Sequence, residues 1–449
     1  MKKGKTGSSE GTLSILREEG LRSLMNRSAD RSEDGRRRRK LQELKTSGGR
    51  IVGSTGLTPA LNVSAAAPFT RIDDAHLQMI DRLDFERTKR TVALAYPRDG
   101  SWWLEVWSGD LAGYLPLGRR TNLVDILADA ASLIRTNVVH IEDCNGLPLS
   151  LIQGLGEKGL QTAVSIHDFI FFCRRPHLIE MPAGRFCRYS NDMNRCRACL
   201  QEIDPEGRHP QEDHRRLAAE AIYHANLVIY PSTFMQRRHQ AFYPDRQPTQ
   251  REVVIAPAIS REPAPPAKNQ NRHNVAFVGG ATIQAGAFLI APVMDQILKE
   301  LPKTAGFVYG SGDSDMLQQV RQVNRVTVRG YYRKGGLPPL LSRDRIGVAL
   351  LPAICPDAYN LVVDDCLSAG VPVVALNLGA VADRLNYWEV GRSVPLSEGV
   401  EGLAHAVTAV LDSEATVPSS IIKALPLIDR AAKRHIDHYR ILRALALRG

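Results

Sequence analysis

The sequence predicts an α/β protein of two successive parallel domains facing a central cleft, and three observations carry that prediction. At 449 residues the chain exceeds what one hydrophobic core usually organises. Short apolar strand patterns alternate with helical ones in the order strand, helix, strand, the grammar of a right-handed parallel crossover. The grammar breaks at a proline-rich polar stretch between Pro257 and His273, then restarts at Asn274.

Strand patterns cover Val92 to Tyr96 and Trp102 to Trp107, followed by a helix from about Leu123 to Ile134 and a buried strand from Val138 to Ile141. A helix from Leu149 to Leu155 and a strand from Thr162 to Ile166 complete one crossover. Leu217 to Ala225 and Leu227 to Tyr230 repeat it, and Pro231-Ser232 turns and caps the next helix. After the break come strand Val275 to Val278, helix Phe288 to Leu298, and strands at Gly306 to Tyr309, Val326 to Val328, Ile346 to Leu351 and Val371 to Leu376. The boundaries read as a basic, poorly packed tail (1–70), an N-terminal domain (71–258), a linker (259–273), a C-terminal domain (274–425) and a closing helix (426–449). Ligands bind outside the carboxyl ends of such strands, so the loops after Ile166, Val278, Tyr309 and Leu351 are expected to line the cleft.

Hydrophobic residues at 43% and charged residues at 24% describe a globular protein and exclude disordered or fibrous classes. The formal charge of +10 is concentrated early, the first fifty residues holding 14 Lys or Arg against 7 Asp or Glu. The run Arg36 to Lys40 fits a solvated tail or peripheral contact with anionic lipid at the inner membrane face. It lacks the interleaved aromatics of a nucleic-acid site, so no specific nucleic acid is expected. No apolar stretch reaches the roughly 18 residues that span a bilayer, and the start lacks a signal-peptide core, so a cytoplasmic location is expected. Seven cysteines, an odd number, argue for reduced thiols.

Residues 352–376 read Pro-Ala-Ile-Cys-Pro-Asp-Ala-Tyr-Asn-Leu-Val-Val-Asp-Asp-Cys-Leu-Ser-Ala-Gly-Val-Pro-Val-Val-Ala-Leu. This segment resembles the signature of family-four retaining GT-B glycosyltransferases, in which an acid after proline precedes a second acid by eight residues. The resemblance implies two Rossmann-like domains and a nucleotide-sugar donor. It assigns the donor sugar to Asp357 and the ribose to Asp365, with Asp364 competing for the second role. Both family positions are normally glutamate. A carboxylate that accepts from two vicinal hydroxyls is in any case a natural sugar clamp.

His167-Asp168-Phe169-Ile170-Phe171-Phe172-Cys173, followed by Cys187, Cys196 and Cys199, resembles a bacterial subset with a His-Asp-aromatic segment and a cysteine-rich insertion. The resemblance gives His167 a role at the donor sugar or reaction centre. The four cysteines have two readings, a structural zinc site or unpaired thiols. No cofactor is expected for catalysis.

The turn Phe277 to Gly286 lies between a strand and a helix, so Gly279, Gly280 and Gly286 are candidates to cradle a diphosphate. Gly310 and Gly312 resemble a strand-end segment beside the nucleotide, and Gly379 resembles a turn that meets the donor sugar. Family members commonly carry cations where this chain has Gly280 and Ala285; Arg175, Arg237, Arg238, Arg329, Arg333 and Lys334 are the substitutes on offer. The expected activity is retaining transfer to a hydroxyl on a glycan, lipid-linked or protein acceptor, in polysaccharide or glycoconjugate synthesis. The alternative is a catalytically degenerate protein of the same fold that binds a sugar nucleotide or partner enzyme.

Overall fold

The computed structural model describes residues 58–67, 74–109, 111–118, 122–247, 250–259, 272–333 and 335–446. The run Arg36 to Lys40 and most of the expected linker lie outside the described residues. The chain divides into two compact units. One takes its described residues from 58–183, 187–259 and 426–446, the other from 184–186 and 272–425.

The first unit is built on β1 (Leu61–Val63), β2 (Val92–Arg98), β3 (Ser101–Ser108), β4 (Leu111–Gly118), β5 (Val138–Ile141), β6 (Gln161–Ser165), β9 (Leu227–Tyr230) and β10 (Arg251–Val254). The two-residue strands β7 (Ile179–Glu180) and β8 (Arg185–Phe186) fall within the cysteine-rich segment. The sheet order is β10-β9-β6-β5-β1-β2-β3-β4, parallel from β10 to β2 and antiparallel from β2 to β4.

Three expectations change here. The poorly packed tail ends before residue 61, because Leu61 and Val63 are fully buried as the central strand. Three residues are too few for a periodic signal. The domain is a mixed sheet, since a tight turn at Asp99-Gly100 joins β2 to β3 as a hairpin. The closing helix (Ile428–Ala446) belongs to this unit, burying Ile436, Tyr439 and Leu442 with Val138, Ala163 and Leu227.

The second unit is a six-stranded parallel sheet in the order β13-β12-β11-β14-β15-β16. Its strands are β11 (Asn274–Val278), β12 (Gly306–Tyr309), β13 (Val326–Gly330), β14 (Ile346–Leu351), β15 (Val373–Leu376) and β16 (Arg392–Val394). From β11 the chain winds outward through β12 and β13, then returns to the other side of β11 for β14 to β16. The winding reverses between β11 and β14, and a crevice opens at the carboxyl ends of strands at such a point. The five apolar positions of β11 and β14 numbered 275–277, 348 and 349 are buried to 2% exposure or less, as strands covered on both faces require.

Candidate functional site

In the second unit, the loops leaving β11, β12 and β14 lock together at the reversal point through backbone too close for side chains. Gly286 (φ +73°) leaves so little room that a Cβ there would lie 2.0 Å from the Pro352 carbonyl oxygen. A Cβ on Gly310 (φ +124°) would lie 2.0 Å from the Gly279 oxygen. Gly312 packs on Ala281, whose N–H donates to Ser311 O at 3.1 Å and whose oxygen accepts from Asp313 N at 3.0 Å.

The glycine turn differs from the expected open phosphate cradle. The amides of Gly279, Ala281, Thr282, Ala285 and Gly286 all donate within these loops. A 3₁₀ turn, Ala287–Leu289, also intervenes before the helix Ile290–Glu300 begins. Among the described residues the turn amides not used in this way are those of Gly280, Ile283 and Gln284.

Asp357 sits against the start of the helix Gly379–Trp388, where Ala380 N donates to Asp357 O at 2.9 Å and Gly379 permits the approach. Its carboxylate is oriented by Asn360, whose Nδ2 donates to Asp357 Oδ2 at 2.8 Å while its Oδ1 caps the helix Leu361–Ser368 through Val362 N. Asn360 holds φ +68°, a conformation tolerated best by asparagine after glycine.

The two neighbouring acids of that helix separate cleanly. Asp364 is fully buried and ion-paired with Arg384, and burial pushes its carboxyl pKa up against the opposing pull of that guanidinium. Asp365 is half-buried on the helix surface, so it is the acid of the pair left facing outward. Arg384 also stacks 4.2 Å from the Tyr359 ring centroid and donates to the Tyr359 and Asn360 oxygens at 3.2 Å. It thus staples the acid loop, a role hidden in sequence because Arg384 lies 20 residues from Asp364.

The substitute cations are partly spoken for. Arg329 donates to both Asp344 oxygens at 2.9 Å, and Arg343 grips the same carboxylate. Arg175 pairs with Glu202 at 2.7 Å in the other unit, where Arg238 stacks over Tyr189. Lys334 lies outside the described residues.

In the first unit His167 follows β6 and lines a cavity of about 470 Å³ at the carboxyl ends of the parallel strands, shared with Arg82, Glu142 and His435. Behind it runs a buried network absent from the sequence reading. Arg82 donates to Glu86 Oε1 at 2.8 Å, to Asn62 Oδ1 at 3.2 Å and to Glu142. His140 bridges Ser165 Oγ (2.8 Å) and Tyr439 Oη (2.6 Å). Burial opposes ionisation of Glu142, but Arg82 and His140 outweigh it and hold the carboxyl pKa below the ordinary range. Glu142 directly after a buried strand was the one signal available in sequence.

Cys173, Cys187, Cys196 and Cys199 line a second cavity, about 460 Å³, also within the first unit. Two sulfurs accept backbone amides, Cys173 Sγ from Arg175 N at 3.4 Å and Cys199 Sγ from Met181 N at 3.3 Å. Burial pushes the Cys173 thiol up to about 11, its three neighbours adding to the effect. Among the described residues no three His, Cys, Asp or Glu side chains stand at metal-ligand spacing.

Comparison with known families and structures matches this arrangement. Residues 272–413, which span every loop of the second unit described above, match the family model "Glycosyl transferases group 1". Comparison with curated proteins found no match. Sucrose-phosphate synthase from Thermosynechococcus elongatus is similar in fold (TM-score 0.60, 13% identity, 87% of this chain and 100% of that one). So is HepE from Anabaena in complex with UDP and glucose (TM-score 0.57, 13% identity, 85% and 99%). The pneumococcal O-GlcNAc transferase GtfA in complex with UDP and GlcNAc gives a TM-score of 0.54 at 8% identity over 86% and 99%. The fold is GT-B, and residues 272–413 form a domain that matches group 1 glycosyl transferases. Among the described residues no helix is long and apolar enough to cross a membrane.

Proposed function

We propose that the chain transfers a sugar from a nucleoside diphosphate to a hydroxyl acceptor with retention at the anomeric carbon, in polysaccharide or glycoconjugate synthesis and without a catalytic metal. The carrying observation is the Asp357 carboxylate, fixed by Asn360 beside Gly379 at the winding reversal of a matched glycosyltransferase domain. In this reading the bond from the anomeric carbon to the diphosphate oxygen breaks and its electron pair leaves with the diphosphate. A bond to the acceptor oxygen forms, and the acceptor's proton passes to the departing diphosphate. Asp357 orients the sugar, Asp365 holds the ribose, and His167 stands at the reacting face. The glycine loops, Gly279, Gly280, Gly286, Gly310 and Gly312, shape the nucleotide side. The run Arg36 to Lys40 supports peripheral attachment to an anionic membrane surface.

Asp357→Ala is expected to lower kcat/KM by roughly 10- to 150-fold, the worth of about 1.5–3 kcal/mol for a hydrogen bond to a charged group. Nucleoside diphosphate release from a panel of UDP-, ADP- and GDP-sugars checks this, and an unchanged rate rejects the assignment. A binding-only protein is the second reading, favoured by Gly280 and Ala285 in place of cations and by the engagement of Arg329 with Asp344. Saturable donor binding without release in that panel would establish it.

The cysteine cavity is the proposed site of a structural zinc ion, supported by four thiols among its lining residues and by amide donors to two of them. The sulfurs would close up around the ion, and four thiolates leave no open catalytic position. About one zinc per chain is expected by elemental analysis, lost in Cys196→Ser/Cys199→Ser. Metal-free native protein with four titratable thiols at this site would decide for unpaired cysteines.

A further inference from the structure

The cavity beneath His167 is equipped for one kind of chemistry, and its polar groups identify it. Gln78 is 8% exposed and its Oε1 accepts from Ala258 N at 3.1 Å, which fixes the carboxamide's orientation. The Nε2 donor of the same group is buried and has no hydrogen-bond partner among the described residues. A buried donor left in that state costs free energy that a ligand oxygen would recover.

His435 supplies the complementary function. It is 8% exposed, and its Nδ1 faces the Ala431 oxygen at 2.8 Å. A carbonyl only accepts, so the proton sits on Nδ1 and Nε2 is left as an acceptor. Burial holds this imidazole pKa well below its ordinary value, with Arg82 and His140 acting in the same direction. The guanidinium lining the cavity, Arg82, is already engaged by Glu86 and Glu142, so it presents no surplus positive charge.

A donor and an acceptor on residues that line one cavity, without uncompensated positive charge, suit a hydroxyl group, which both donates and accepts. They are unfavourable for a phosphate or carboxylate, whose charge would go unanswered and whose oxygens would meet the His435 lone pair. We propose that this cavity binds an uncharged polyhydroxylated group, a neutral sugar or polyol, with Gln78 Nε2 donating to a ligand hydroxyl oxygen. As the acceptor subsite it rests on the transferase reading above, and it makes the acceptor neutral, not phosphorylated, at the end that enters the cavity.

Saturation-transfer NMR on the full chain tests it with methyl glucoside, methyl galactoside, methyl mannoside and glycerol, each against a phosphate ester of the same sugar or polyol. At least one neutral ligand is expected to show saturation transfer, and the phosphates none. Gln78→Glu keeps the oxygen that accepts from Ala258 N and removes the donor, so it is expected to weaken the neutral ligand about tenfold, the effect of one lost hydrogen bond. Gln78→Leu gives the same loss, with thermal melting of both variants reporting the fold. Equal or stronger binding of the phosphates overturns the proposal, as does no binding by any neutral ligand, or binding that both folded variants leave unchanged. Donor titration in parallel separates the two readings: neutral-ligand binding that depends on Gln78, in a protein that binds no nucleotide sugar, preserves the cavity's assignment and removes the transferase one.

Discussion

Arg82→Met is expected to destabilise the protein by about 3–5 kcal/mol at neutral pH, the usual result of removing one partner from a buried ionic cluster. Arg82 is 4% exposed and holds two carboxylates that are buried as deeply, Glu86 at 2% and Glu142 at 3%. Methionine fills much of the volume, so packing is largely kept while the charges lose their counter-ion. Glu142 shows the sign. With Arg82 present its folded pKa lies below the unfolded value. It therefore adds stability above the ordinary carboxylate pKa and loses it as pH falls through the depressed folded value. Without Arg82 the largest pull against burial is gone, and His140 is left to oppose it. Denaturant unfolding at pH 7 measures the loss, and Arg82→Met/Glu142→Gln is expected to recover part of it through coupling between neighbours. A loss below about 1 kcal/mol would show that the cluster is not held by this guanidinium.

The second large effect is a pH dependence with the opposite sign. Glu105 lies in mid-β3, accepts from Tyr96 Oη at 3.0 Å and stands opposite Tyr114 on β4. Burial pushes its carboxyl up to about 7, against hydrogen bonds that favour the charged form. Because the folded value exceeds the unfolded value of 4.5, the folded state binds the extra proton between them. The stabilisation is complete below the unfolded value and is lost as pH rises through about 7. Glu105→Gln is therefore expected to gain about 3 kcal/mol relative to the parent between pH 4 and pH 8.5, each tenfold change in proton affinity being worth about 1.4 kcal/mol. Urea unfolding of both proteins across that range checks it; parallel stability curves would mean that Glu105 ionises normally inside the sheet.

Glu105 and Arg82 mark where sequence reading ends. The strand Ser-Trp-Trp-Leu-Glu-Val-Trp-Ser carries an alternating pattern in which an acid reads as a solvent-facing position. The helix Asp74–Arg87 nevertheless packs over that face through Met79, Ile80 and Leu83 on Tyr96 and Trp107, and buries the carboxylate. The closing helix reads as a solvated basic surface, and Lys433 is indeed exposed, yet its other face delivers His435 and Tyr439 to a network with Arg82.

What the sequence by itself determined is the local part. Short apolar runs located most strands, the proline-rich break separated the units, and the spacing of Asp357, Asp365 and Gly370 marked the acid loop, its helix and the helix end. These signals are legible because they arise from neighbours in the chain. Only the tertiary structure decided which of Asp364 and Asp365 faces outward, because that depends on Arg384 arriving from the next helix. It alone placed Leu61–Val63 at the centre of a sheet, and it alone assembled the cavity of Gln78, Arg82, His167 and His435 from positions hundreds of residues apart. The physical reason is common to all three. Burial and charge compensation are properties of a completed core, and no window along the chain contains them.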